Sequence, residues 1–267
     1  YEIRLSLVGS EMCIRDRASD LYSLTSTVDA APLSPLIAKH RAVWSHGQFE
    51  NTEQQDVHDA FCRLVEKCDE VDATHAQSLG ISSILEHNGM NSVRHSTPFW
   101  KIFGGILIST TICKACGHRI PQYEMWHSLS VALPATPATL EEVLANHWKR
   151  EPLQSENDRC EECHTARQRA KEMQVVRWPQ VLVIHLKRWK VLSMVPFLQE
   201  KVRTRIHFET ILSENMAQPY HLRGVIVHKG KARGGHYVSY IRARAPDNFW
   251  YLCNDLARII FQKMLIL

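Results

Sequence analysis

An α+β fold is predicted by three observations. Helix-capping boxes stand ahead of two amphipathic runs, β-branched runs at strand spacing dominate the last third, and two Cys-x-x-Cys pairs lie far apart between them. The 267 residues suit one large domain or two small ones, and 45% apolar with 22% charged residues is the balance of a globular protein with a sizeable core. A net charge of +4 is too mild to imply nucleic acid or membrane by itself. No apolar run approaches membrane-spanning length and no secretory signal is visible. The eight cysteines therefore point to metal or thiol chemistry rather than disulfides.

Residues Leu7 to Arg17 match, unbroken, the reading-frame translation of a transposon-end sequencing adapter, so residues 1–17 are expected to be an assembly artefact. Cys13 falls inside it. Pro35 to Trp44 reads as a helix with proline in its first turn. A second helix is predicted over Asn51–Cys68, opened by a Thr52/Gln55 capping box, with Val57, Phe61, Leu64, Val65 and Cys68 on its buried face. Cys62 and Cys68 fit helix-core cysteines. Gln54, Gln55 and Asp56 are placed in the exposed first turn, where a carboxylate suits the helix dipole and could bind a basic peptide.

Phe103–Thr111 reads as a strand entering the core, and alternation from Met125 to Leu133 as another. Thr139 and Glu142 form a second capping box ahead of a short helix burying Leu140, Val143, Leu144 and His147. Arg167, Arg169 and Lys171 share one face of an expected edge strand. The apolar run from Trp178 to Trp189 is expected to be a central strand, with His185 a satisfied core or pocket-wall histidine rather than a ligand.

Cys113, Cys116, Cys160 and Cys163 are the sharpest signal. Each pair can form a knuckle aiming two thiolates at one ion, with Gly117 easing the first turn, and four thiolates make the closed tetrahedral shell of a structural zinc. The gap between the pairs exceeds that of compact zinc ribbons and implies a long hairpin-like subdomain. His118 or His164 could replace one cysteine, but an all-cysteine shell is the simpler assignment. A haem reading of Cys160–His164 leaves the first pair unexplained.

Between Tyr220 and Asp255, strands are predicted over Leu222–His228, Tyr237–Ile241 and Phe249–Cys253, the first two joined by a glycine-bearing loop, Lys229–Gly235. His236 then stands where a loop meets a strand, and Asn254 and Asp255 close the third run. They can supply the base and orienter of a Cys–His–Asn/Asp hydrolase. An ordinary hairpin with a surface histidine is the equally simple alternative.

Taken together and in order, Gln54–His58, the two cysteine pairs, Val181–Trp189 around Leu186-Lys187-Arg188, and Gly234–Tyr237 with Trp250–Asp255 closely resemble the catalytic domain of ubiquitin-specific proteases, the papain-like deubiquitinases. The resemblance runs from about Leu36 to Asp255 and implies a papain-like hand. Within 18–267, a helical thumb remnant would span 18–100, a β-rich palm 101–112 and 177–267, and zinc-clipped fingers 113–176. It further implies that His236 is the catalytic histidine, Asn254 the third member of the triad and Asp255 its acidic neighbour. Asp56 and Gln55 from the helix, with Tyr237, Gly234 and Gly235, would hold ubiquitin's C-terminal tail.

The family usually carries Asp where Asn254 stands; an asparagine still fixes the imidazole tautomer through its side-chain oxygen. The family's Gly-Asn-Thr-Cys-Tyr-like nucleophile box is absent from these residues, and after Asp255 the chain stops at Phe261–Leu267 where the family continues to a last strand. Both ends are expected to be truncated. The expected protein is a deubiquitinase fragment without its nucleophile, monomeric, inside the cell in cytoplasm or nucleus, with ubiquitin or ubiquitinated proteins as partners. The alternatives are a Cys-less ubiquitin-binding pseudoenzyme and a zinc-ribbon nucleic-acid module.

Overall fold

The computed structural model describes residues 56–66, 98–153, 159–165, 169–194, 197–213, 216, 218–231, 234–243, 249–254 and 257–261. The first 17 residues, the helix predicted over Pro35–Trp44, the Thr52/Gln55 capping box, Gln54, Cys68, Arg167 and Asp255 all lie outside them.

Helix α1 covers 57–66. Asp56 is its N-cap rather than part of an exposed first turn: it is half-buried, and its Oδ1 accepts the His58 N–H at 2.7 Å. Val65 is buried as predicted, but Leu64 is 42% exposed, so the apolar face is narrower than its spacing implied. Phe61 packs edge-on against Phe103, ring centres 5.6 Å apart. Phe103 ends a helix, α2 (Pro98–Phe103), instead of opening a strand, because Pro98 suits a helical first turn and the Gly104-Gly105 pair ends it. A Cβ at Gly104 would lie 2.4 Å from the Trp100 ring, so only glycine lets the chain leave over that buried tryptophan.

Strands β1 (Gly105–Cys113), β2 (Arg119–Trp126), β5 (Glu151–Leu153) and β6 (Arg169–Arg177) form an antiparallel sheet in the order β2-β1-β6-β5. The β1–β2 register runs from Gly105↔Trp126 to Ile112↔Arg119. On its other side β1 pairs with β6 as far as Cys113↔Arg169, which brings both cysteine pairs to one end of the ladder. The stripe expected to lie on an edge strand is interior. Lys171 meets Glu124 at 3.6 Å, Glu172 takes Arg119 and Arg150 at 3.1 and 3.3 Å, and Arg169 donates to the Arg159 carbonyl.

The single strand predicted from Met125 to Leu133 divides at His127-Ser128. There the chain leaves that sheet, and β3 (Leu129–Ala132) pairs in parallel with β7 (Ile184–Lys187). The run from Trp178 to Trp189 supplies only β7, four residues long, followed by β8 (Trp189–Met194), which forms a hairpin with β9 (Phe197–Lys201). Strand β4 (Ala138–Thr139) pairs with β10 (Ile206–His207), and β11 (Ile211–Leu212) with β12 (Tyr220–His221). Helix α3 (Leu140–His147) starts at the predicted capping box: Glu142 N–H donates to Thr139 Oγ1 at 3.2 Å, and the Glu142 carboxylate takes the Thr139 N–H at 2.8 Å. Its Val143 and Leu144 pack with Leu107, Leu129, Val131 and Ile206 in one buried cluster.

A four-stranded antiparallel meander completes the described fold: β13 (Gly224–Lys231), β14 (Gly234–Arg242), β15 (Trp250–Asn254) and β16 (Ala257–Phe261), each paired with the next. The ladder reaches Lys231↔Gly234, so most of the expected Lys229–Gly235 loop is strand. Strand β16 also supplies ladder structure after Asp255, where none was expected. No helix among the described residues is long and apolar enough to cross a membrane.

Candidate active site

His236 is the third residue of β14 and Asn254 the last of β15. One step past the Ser239↔Cys253 pair, the antiparallel register makes Asn254 a diagonal neighbour of His236 on one face of the sheet. Both are exposed, and His236 Nε2 is hydrogen-bonded to Asn254 Oδ1 at 2.5 Å. The amide oxygen only accepts, so Nε2 carries the proton and the ring's lone pair rests on Nδ1. A base oriented in this way can take a proton from a thiol. Gly234 shares the His236 face, and a Cβ there would meet nothing within 4 Å.

Tyr237 emerges on the opposite face, toward α1. Burial, then the Asp56 charge, pushes its hydroxyl pKa up, while the Val57 N–H opposes that by hydrogen-bonding it. The structure thus brings Asp56 and Tyr237 together. On this face Gly235 is obligatory: a Cβ would lie 2.3 Å from the Lys229 carbonyl oxygen and 2.4 Å from His228 Nε2. Gln55 and Asp255 lie outside the described residues.

Neither described cysteine outside the metal cluster stands at His236. Cys253 is half-buried in β15 opposite Ser239. Cys62 Sγ lies 3.6 Å from His58 Nε2, and its thiol is pushed up, by burial first and then by Asp59, Glu66 and Asp56, against a Ser128 hydrogen bond. That thiol is protonated, as a structural cysteine should be.

The four predicted metal ligands converge. Their sulfurs lie within 4.8 Å of one another, with Cys113–Cys163 and Cys116–Cys160 both at 3.7 Å. Tetrahedral thiolates about 2.3 Å from a zinc would be roughly 3.8 Å apart, so the donor set fits. The knuckles match each other. Gly117 N–H donates to the Cys113 carbonyl and His164 N–H to the Cys160 carbonyl, both at 2.9 Å, and these fifth residues are left-handed, φ 77° and 56°. Hydrogen bonding with Thr165 holds the Cys163 pKa down at about 6, whereas at Cys116, against the backbone hydrogen bond of His118, burial and the other thiols drive the pKa up to about 12. One cation removes that mutual resistance to ionisation. His118 and His164 are not in the cluster.

A sequence model of the family "Ubiquitin carboxyl-terminal hydrolase" matches residues 10–261. The chain belongs to the ubiquitin carboxyl-terminal hydrolase family. It is 30% identical over 215 residues to Ubiquitin carboxyl-terminal hydrolase 25 of Arabidopsis thaliana, covering 78% of this chain and 31% of that protein. It is 28% identical to Ubiquitin carboxyl-terminal hydrolase 44-B of Xenopus laevis, over 84% of this chain and 35% of that one. The chain thus spans about a third of the length of these curated relatives. Its fold is that of the Ubp8 chain in a SAGA DUB module bound to monoubiquitin, with TM-score 0.67 at 20% identity over 94% of this chain and 60% of that one. A yeast SAGA DUB module carrying a mutant Sgf73 gives 0.66 at 20% identity, over 93% and 58%. The ubiquitin hydrolase match begins at residue 10 and so takes in part of the adapter-like stretch, Cys13 included.

Sequence reasoning missed a cluster that ties α1 to β7. His58 of α1 stacks on His185 of β7, ring centres 3.9 Å apart, with Ser128 Oγ 2.8 Å from His58 Nε2 and Ser130 Oγ 3.0 Å from His185 Nδ1. His185 was read as a core or pocket-wall histidine; its stacking partner could be seen only in three dimensions. Lys201 and His228 were missed too; nothing in their spacing marks them.

Proposed function

We propose that this chain is the ubiquitin-holding, base-supplying part of a thiol-dependent deubiquitinase that hydrolyses isopeptide and peptide bonds at ubiquitin's C-terminal glycine. The observation that carries the reading is the His236–Asn254 hydrogen bond across the β14–β15 diagonal, with Tyr237 on the other face within reach of the Asp56 charge at the start of α1. A thiol beside Nδ1 gives up its proton to His236, and its sulfur attacks the glycine carbonyl. The imidazolium returns the proton to the departing amine, and water then hydrolyses the thioester. Asn254 holds the ring in the required tautomer throughout, with Asp255 assisting.

We infer that none of the described cysteines is that thiol, since neither Cys62 nor Cys253 stands at His236 and the 267 residues contain no Gly-Asn-Thr-Cys-Tyr-like box. The chain as given is therefore proposed to bind ubiquitin without turning it over. That it acts as a monomer, in cytoplasm or nucleus, and that the metal is a structural zinc are parts of the same proposal. The zinc supplies rigidity rather than chemistry, because four thiolates leave no position open.

A fluorogenic ubiquitin C-terminal conjugate tests it, beside binding of labelled ubiquitin. Binding without turnover is expected. Turnover lost on Cys13→Ala or Cys62→Ala would place the nucleophile within the chain and overturn the inactivity. Absence of ubiquitin binding in the zinc-loaded chain would overturn the whole reading.

A further inference from the structure

Strand β9 ends against the back of the histidine hairpin through one side chain. Lys201 Nζ donates to the His228 carbonyl at 2.7 Å and to the Gly230 carbonyl at 3.3 Å, and lies 2.8 Å from His228 Nδ1. Its ammonium also stands 5.3 Å from the Trp189 ring centre, across the Trp189↔Lys201 pair of the β8–β9 ladder. Arg188 fixes the adjoining strand end by donating to the Val202 and Thr204 carbonyls at 3.2 and 2.9 Å.

What Lys201 holds is the ring under the glycine pair. The His228 ring is 4.8 Å from that of Tyr237, its ladder partner, and 5.4 Å from that of Trp189. Its Nε2 occupies the space a Cβ at Gly235 would need. A lysine has three donors and no acceptor, so contact with Nδ1 demands that this nitrogen present its lone pair. An imidazolium there would set two cations side by side.

We propose that Lys201 is a positioning residue for the active site: it holds the His228 ring neutral and oriented, and that ring sets Tyr237 and the Gly234-Gly235 segment against the thumb helix. It links the motif around Leu186-Lys187-Arg188 to the one around His236 through a residue belonging to neither. The proposal rests on the reading of Tyr237 as a contact for ubiquitin's tail. Among the described residues, Lys201 from β9, Asp56 from the start of α1 and Tyr237 from β14 are charged or titratable groups that act on His228. Burial and then the Lys201 charge disfavour its imidazolium, and Asp56 favours it.

The test uses the full zinc-loaded chain, with Lys201→Met and Lys201→Gln beside the parent; glutamine keeps donors for the carbonyls and loses the charge. Imidazole proton resonances, with His228 assigned by His228→Gln, give its titration midpoint. That midpoint should rise by about one pH unit in both variants. The Tyr237 ring resonances should follow the same midpoint. Labelled-ubiquitin affinity should fall roughly tenfold below the new midpoint and recover above it, whereas the parent stays flat over that range. If the His228 midpoint stays put in Lys201→Gln, or the Tyr237 resonances ignore it, the positioning role is wrong. If the parent chain binds no ubiquitin at all, the functional reading fails, and the two resonance sets still decide the role of Lys201.

Discussion

The Nε2 of His236 and the Oδ1 of Asn254 are held together by a diagonal of the β14–β15 ladder rather than by a loop, so backbone register sets their geometry. If a thiol acts beside His236 as proposed, Asn254→Ala should lower kcat by about 10²-fold or more, with KM little changed. Asn254→Asp should keep or raise kcat, since a carboxylate also accepts from Nε2 and stabilises the imidazolium. Equal kcat for Asn254→Ala and the parent would remove Asn254 from the triad.

The two glycines before His236 should respond oppositely to alanine. At Gly235 the added methyl meets the Lys229 carbonyl oxygen at 2.3 Å and the His228 ring at 2.4 Å, whereas at Gly234 it meets nothing within 4 Å. Gly235→Ala is expected to cost about 1–3 kcal/mol in denaturant unfolding and to weaken ubiquitin binding. Gly234→Ala should leave stability unchanged while obstructing the His236 face. The reverse order in unfolding curves would contradict the placement of His228.

Metal analysis of the purified chain should give one zinc. Cys160→Ser should abolish it and lower the melting temperature, because a three-thiolate remnant leaves the ladder end unclipped. Acid should release the metal as the thiolates protonate. The left-handed fifth residues add a finer check. Gly117→Ala should cost about 1 kcal/mol through backbone strain alone, as nothing crowds its Cβ, whereas His164→Gly should cost nothing measurable.

Burial, then the nearby His58, lowers the pKa of His185. A histidine depressed in the folded state binds fewer protons there than in the unfolded chain. Its stabilisation is complete above the unfolded value of about 6.5 and is lost as pH falls toward the depressed one. Thumb and palm should loosen over that window, which hydrogen exchange of the α1 amides would report. His185→Gln should flatten the acid limb of the stability curve. Parallel curves for variant and parent would exclude the stack as its origin.

The parts legible in the sequence were those written over short distances. The knuckles, the Thr139 cap and the three strands around His236 each depend on neighbours within a hairpin or a helical turn. The illegible parts depend on distant partners. Trp178–Trp189 read as one central strand because its apolar run carries no mark of where the chain passes from β7, paired with β3, to the separate β8–β9 hairpin. Lys229–Gly235 read as a loop because glycine signals turns. Here it serves close approach: Gly230 sits at φ 126°, and a Cβ on it would lie 2.6 Å from the Gly234 carbonyl oxygen. Lys201 and His228 stand 27 residues apart, beyond any periodicity.

Because among the described residues β13 to β16 pair with sequential neighbours, His236 and Asn254 belong to a unit of low contact order that can form early in folding. Asp56 reaches Tyr237 only when a helix roughly 180 residues upstream arrives, a slower, non-local event. A refolding chain should therefore show histidine pairing before ubiquitin affinity, and the interval between them would time the closing of the hand.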